Sequence, residues 1–242
     1  MCHLWSLDRK FEHASFFVFF IQFLYPRPGT GKTVTIVEAM QQLLARDPNV
    51  RILACAPNNS AADTITMKLS ARGKGEVFRL NAMSRRIEDI PKSLREFSLM
   101  NDNQVFAMPT AEQLVKYRVV ISTCLSAGVP AGLGLKRGHF THIFIDEAGQ
   151  GKEPEIMVPI LSIADSKTNV VLAGDNQQLG PIVHSNLASS LGLKTSYLSR
   201  IMERDIYNLE TGRGITYVHL IDFFFSNSTM LNNLYFFPAS LS

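Results

Sequence analysis

Apolar positions along the chain change their period several times, and each change marks an element. Val34, Val37, Met40, Leu43 and Leu44 recur at helical spacing and stop near Asp47-Pro48. Four short, continuous apolar runs read as buried strands: "VRILACAP" (50–57), "RVVIST" (118–123), "HIFIDEA" (142–148) and "NVVLAGD" (169–175). Ser60 is expected to cap a helix running to about Gly73, and "EIMVPILSIA" is expected to form a helix between the last two strands. Thr110-Ala111-Glu112-Gln113 is a capping box that opens a short helix. A final helix is expected from about Ser196 to Asn208, while residues 71–109 are polar, irregular and read as an insertion with little core. Strands alternating with helices imply an α/β fold, a parallel sheet with helices on both faces.

The N-terminal run "ASFFVFFIQFLYP" extends this pattern. Its apolar stretch is about a dozen residues, short of the ~20 that span a bilayer. Arg9 and Lys10 are offset by Asp8 and Glu12, so a secretory leader's positive start is missing. A buried strand is preferred over a membrane or targeting segment.

Composition changes this picture at the ends. The apolar fraction of 46% and charged fraction of 19% are those of a globular protein. A net charge of +3 is too small to argue for a nucleic-acid partner or against one. Cys2, Cys55 and Cys124 lack metal-ligand spacing and read as reduced, buried thiols. Of the 16 phenylalanines, 11 fall in residues 1–25 and 214–242. The domain plan is therefore an atypical N-terminal segment (1–25) expected to supply the first strand, a central α/β domain (26–213) with an insertion-like stretch at 71–117, and an atypical tail (214–242).

Ligands of open parallel sheets lie beyond the carboxyl ends of the strands, and three such ends carry chemistry. The first is "PRPGTGKT", Pro26 to Thr33, a phosphate-binding loop whose first glycine is replaced by Pro26. After Pro28, the backbone N–H groups of Gly29, Thr30, Gly31, Lys32 and Thr33 would cradle phosphates, Lys32 would also supply a cation, and the Thr33 hydroxyl a ligand for Mg²⁺. Pro26 lacks an N–H but sits before the cradle, so binding is expected to weaken rather than vanish. The second end is Asp146-Glu147, where Asp146 would hold Mg²⁺ and Glu147 would orient and deprotonate an attacking water. Two acids after a strand are more often a solvated strand end; downstream of such a loop the odds reverse. The third is "GDNQQLGP", where Gln178 could sense a γ-phosphate and Asp175 could bind a water at the metal.

In this order "PGTGKT", "ACAPNNSAAD", "VVISTCLSAG", "FIDEAGQ" and "LAGDNQQLGP" resemble motifs I, Ia, Ic, II and III of superfamily 1 helicases. "RLNA" (79–82) and "EPE" after motif II resemble the Armitage-like RNA helicases in particular. The resemblance spans residues 28 to about 218 and implies a RecA-like P-loop NTPase domain. It also implies ATP and Mg²⁺ as cofactors and 5′ to 3′ movement on single-stranded RNA. Pro57, Asn59, Ser60 and Thr123 would touch the RNA backbone. RNA-silencing or RNA-decay proteins would be partners, in the cytoplasm or the nucleus, with no membrane. Departures lie at the ends. A motif IV resemblance at 220–231 has Phe225 in place of an arginine and Asn227 in place of a histidine, and the upstream glutamine motif has no match. A truncated form with little unwinding of its own is expected. A nucleotide- or RNA-binding module without turnover stays open, and so does, with less support, a P-loop ATPase acting on proteins.

Overall fold

The computed structural model describes residues 31–175 and 180–204, together with the backbone of 18–22 and 217–219. Seven strands form one sheet: β1 (Val18–Gln22), β2 (Ile52–Ala56), β3 (Val77–Arg79), β4 (Val119–Thr123), β5 (His142–Ile145), β6 (Asn169–Gly174) and β7 (Tyr217–His219). Their order is β3-β4-β2-β5-β6-β1-β7, and every adjacent pair is parallel. The N-terminal apolar run does supply a strand, and it enters the sheet between β6 and β7.

Helices cover both faces, and the two-residue alternation of the strands decides which side chain meets which helix. Ile52, Ala54 and Ala56 pack with helix α1 (Lys32–Arg46) and helix α2 (Asn59–Leu69). Leu53 and Cys55 point the other way, toward Ile156, Ile160 and Ile163 of a helix at Glu153–Ile163 and Leu198 of a helix at Tyr197–Met202. A further helix, Ala111–Leu114, has the expected capping box: Thr110 accepts from the Gln113 N–H, and Gln113 reaches back to the Thr110 N–H.

Four expectations shift. Val34 is 54% exposed, because the buried stripe of α1 is Ile36, Val37, Met40, Leu43 and Leu44. Val34 lies ~120° round the helix from the centre of that stripe. The cap of α2 is Asn58, whose side chain accepts from the Ala61 N–H, so the helix begins one residue before Ser60; past Leu69 it continues as a 3₁₀ turn, Ser70–Arg72, closed by Gly73 as expected. The last helix stops at Met202, with Ser196 as its cap; the rest of the expected span, from residue 205, lies outside the described residues.

The fourth correction concerns residues 71–109, which are far from coreless. They contribute edge strand β3 and bury Phe78, Leu80, Ile90, Leu94, Phe97 and Phe106. A 3₁₀ turn at Lys92–Phe97 carries Leu94 and Phe97, and Ile90 follows a second one at Ile87–Asp89. Such turns repeat every three residues and run briefly, so they leave neither a helical nor a strand period to read.

Candidate nucleotide and nucleic-acid site

Parallel strands bring their carboxyl ends to one edge of the sheet. Strand β6 lies between β1, which feeds the loop, and β5, which ends in the acids. Gly31, at φ 83°, turns the chain into α1 in the left-handed region that glycine enters without strain. Lys32 and Thr33 then open the helix, and Lys32 is only 8% exposed. Across 113 residues of sequence, the Thr33 hydroxyl donates to Asp146 Oδ2 at 2.8 Å.

Asp146 is buried at the tip of β5. Burial pushes its carboxyl above the ordinary range; the Thr33 hydroxyl, the Glu147 N–H and the Lys32 charge oppose that rise. Glu147 stands at φ 53°, an uncommon left-handed setting for a side chain other than glycine. Its backbone N–H donates to Asp146 Oδ1 at 2.9 Å, and Gln150 donates from Nε2 to Glu147 Oε2 at 2.9 Å. Burial, then the neighbouring Asp146 charge, raise the Glu147 carboxyl, with Asp175 adding to the rise and Lys32 and Gln150 opposing it.

Two glycines make this crowding feasible. A Cβ on Gly149 would sit 2.4 Å from the Asp175 carbonyl oxygen, and one on Gly174 would sit 2.7 Å from the Gly149 nitrogen. Ala148 N–H donates to the Ala173 carbonyl at 2.8 Å in the same place. The loop after β5 therefore lies against the end of β6 backbone to backbone. The roles of Gln150, Gly149 and Gly174 here have no motif of their own in the sequence. The small residues after "DE" and before Asp175 were the available signal.

Lys32, Thr33, Asp146 and Glu147 are thus brought into one electrostatic neighbourhood. Pro28, Gly29, Thr30 and Gln178 lie outside the described residues, as do Pro26, Phe225 and Asn227. The second group of candidates sits on paired strands further along the same edge, Ala56 being in register with Thr123. Pro57 is half-buried, and Asn59 and Ser60 are exposed on the first turn of α2. Thr123 Oγ1 accepts from the Ser126 N–H at 3.3 Å and lies 3.1 Å from the Ser126 hydroxyl. Asn59 has an internal partner that sequence did not reveal: its Oδ1 accepts from Arg79 Nη2 at 2.9 Å.

Among the described residues no group of three His, Cys, Asp or Glu side chains could hold a metal ion. A magnesium site does not need one. It uses one or two carboxylates and takes its remaining oxygens from phosphates and water, and the adjacent Thr33 and Asp146 oxygens fit that donor set.

A lysine and threonine at the head of a helix, set beside strand-end acids on an all-parallel sheet, define a P-loop nucleotide-binding domain. A family model described as an AAA domain matches residues 7–105 and 82–186. Mouse RNA helicase Mov10l1 is 41% identical over 76% of this chain, and zebrafish helicase mov-10-B.1 is 43% identical over 79% of it. The Drosophila melanogaster RNA helicase armi is 37% identical over 78% of the chain. The matched regions cover 15%, 19% and 18% of those three relatives. Among solved structures, the arterivirus nonstructural protein 10 helicase in complex with DNA superposes with a TM-score of 0.42 at 15% identity, over 73% of this chain and 33% of that one. The chain belongs to the AAA domain family, with the Mov10-type and armitage RNA helicases as its relatives. No helix among the described residues is long and apolar enough to cross a membrane.

Proposed function

We propose that this chain is the ATP–Mg²⁺-binding core of an RNA helicase, with little or no strand separation on its own. The observation that carries the reading is the hydrogen bond from Thr33 to Asp146, which joins the phosphate-loop helix to the acidic strand end. Lys32 pairs with the β- and γ-phosphates of ATP, the backbone N–H groups of Gly29 to Thr33 cradle them behind Pro28, and Gln178 senses the γ-phosphate. Thr33 and Asp146 hold Mg²⁺, which when bound neutralises charge on the phosphate oxygens.

Glu147 is the base. Its carboxyl is held above the ordinary range by burial and by Asp146, which raises its affinity for a proton toward what general-base work near neutral pH requires. It takes the proton of a water whose oxygen attacks the γ-phosphorus, while the bond from that phosphorus to the ADP oxygen breaks and orthophosphate leaves. The left-handed φ of Glu147 and its bond from Gln150 support a fixed aim for that carboxylate. Pro57, Asn59, Ser60 and Thr123 contact the sugar–phosphate backbone of single-stranded RNA, which holds a strand without reading its sequence. RNA-silencing or RNA-decay proteins as partners, and a cytoplasmic setting, follow from the family resemblance.

Calorimetric titration of the purified chain with ATP–Mg²⁺ tests the core of this reading. Saturable binding that disappears in Lys32→Ala is expected; the absence of binding by the native chain would sink it. A second reading, a binding module without turnover, is favoured by Phe225 in place of the expected arginine. An arginine finger is worth roughly 10³–10⁵ in rate. Steady-state ATP hydrolysis with and without single-stranded RNA separates the two.

A further inference from the structure

The run "RLNA", a family marker in sequence, has a physical use in the fold. Arg79 closes β3 with its side chain wholly buried. Its Nε donates to Asp63 Oδ1 at 3.0 Å, its Nη1 to the Leu80 carbonyl at 2.7 Å and its Nη2 to Asn59 Oδ1 at 2.9 Å. Arg85 takes the other oxygen of Asp63, from Nη2 at 2.6 Å, and also donates from Nη1 to Oδ1 at 3.0 Å. A buried guanidinium must be paired and fully hydrogen-bonded to be tolerated. Asp63 meets the charge requirement, so the contact that reaches the surface is the one to Asn59.

That contact decides which end of the Asn59 amide faces out. A guanidinium carries only donors, so only the amide oxygen can face Arg79. The NH₂ group is turned away from it, on an exposed residue, with no partner among the described residues. The neighbouring Asn58 amide behaves the same way, its oxygen engaged by the Ala61 N–H at 2.9 Å. Two adjacent amides thus have their oxygens occupied internally at the N-terminus of an 11-residue helix, whose free N–H groups are themselves electropositive.

We propose that Arg79 is a positioning residue for nucleic-acid binding: from inside the fold it locks the Asn59 amide with its NH₂ outward, as a donor to the sugar–phosphate backbone of a single strand. The inference rests on the RNA reading above. It explains why a wholly buried arginine ends an edge strand, and it makes the donor character of the surface depend on a residue that RNA never touches.

The test is fluorescence anisotropy with a labelled single-stranded oligouridylate, alongside melting temperatures of the same proteins. Asn59→Asp keeps an acceptor toward Arg79 and so keeps the fold, but turns an anionic oxygen outward. It is expected to lose about tenfold to a hundredfold in affinity, the range of a hydrogen bond to a charged group, and to bind more weakly than Asn59→Ala. Arg79→Lys retains the charge for Asp63 but not the planar fork. It is expected to lower affinity about as far as Asn59→Ala, and the double variant no further than either single one. A purely structural arginine would instead give additive losses. Additivity, or an Asn59→Asp protein that binds as tightly as the native or the alanine variant, overturns the proposal even if Arg79→Lys proves unstable. A native chain that binds no oligonucleotide overturns the RNA reading and this inference together.

Discussion

The two ends of the candidate site solve opposite problems with charge. Around Lys32, Thr33, Asp146 and Glu147, the acids share one lysine and burial raises both carboxyls. Around Arg79, Asp63 and Arg85, every carboxylate oxygen is engaged by a guanidinium. The first arrangement leaves electrostatic demand to be met by what binds there, which suits a triphosphate and its metal. The second holds its one carboxylate between two guanidinium groups and reaches the exposed surface at the Asn59 amide. A place that receives charge leaves its acids underpaired, whereas a place that must hold an element still has its acid fully engaged within. The packing differs accordingly. Glycines at 149 and 174 press backbone on backbone at the first, and long arginines span from element to element at the second.

Four experiments press on this contrast. The largest effect is expected for Asp63→Ala, which leaves two buried guanidinium groups without their carboxylate. Stability should fall by about 3–5 kcal/mol in urea unfolding, and a loss below ~1 kcal/mol would make the network a surface-like ornament. Next is Lys32→Ala, expected to abolish detectable ATP–Mg²⁺ binding in calorimetry, a loss of at least about a hundredfold or ~3 kcal/mol, while hardly moving the melting temperature. Equal damage to both measurements would erase the distinction between a receiving site and a scaffolding one.

The third concerns pH away from both regions. Burial lowers the His142 imidazole to about 4. Its folded-state value thus lies below its unfolded one, so the stability it permits is complete above the unfolded value and is lost as pH falls from about 6.5 toward 4. Between pH 7 and pH 5 that is a loss of about 2 kcal/mol, and His142→Gln should flatten it. An unchanged acid slope in that variant would remove His142 as the source of the loss, since the raised carboxyls of Asp146 and Glu147 favour the folded state as pH falls. The smallest effect is expected of Glu147→Gln, which should leave ATP affinity within about twofold, under ~0.5 kcal/mol, while removing residual hydrolysis. A variant that still hydrolyses at the native rate displaces Glu147 from its role.

Much of the architecture was legible in local pattern. β2, β4, β5 and β6 are runs that only a sheet covered on both faces would bury, and Thr110 to Gln113 announced a cap whose partners are three residues apart. What escaped was short or aperiodic. Edge strand β3 has three residues, too few to establish an alternation, and Phe97 and Phe106 reach the core from 3₁₀ and irregular backbone. The Asn58 cap escaped because two asparagines and a serine in a row all suit the position, and backbone geometry chooses among them. At the site, Lys32, Thr33, Asp146 and Glu147 could be named from residue type and spacing, since phosphate and metal demand those groups. Gln150 and Arg79 could not, because their use lies in orienting another side chain.

By itself, then, the order of residues determined a parallel α/β sheet, the strand ends that carry chemistry and the family to which they belong, because period and motif are properties of neighbours along the chain. Tertiary structure alone decided that Thr33 meets Asp146, that Glu147 adopts a left-handed φ beside Gln150, and that Arg79 faces the oxygen of Asn59. The first and last join segments 113 and 20 residues apart, brought together by how the sheet orders its strands, and the second follows from the loop after β5 pressing against the end of β6.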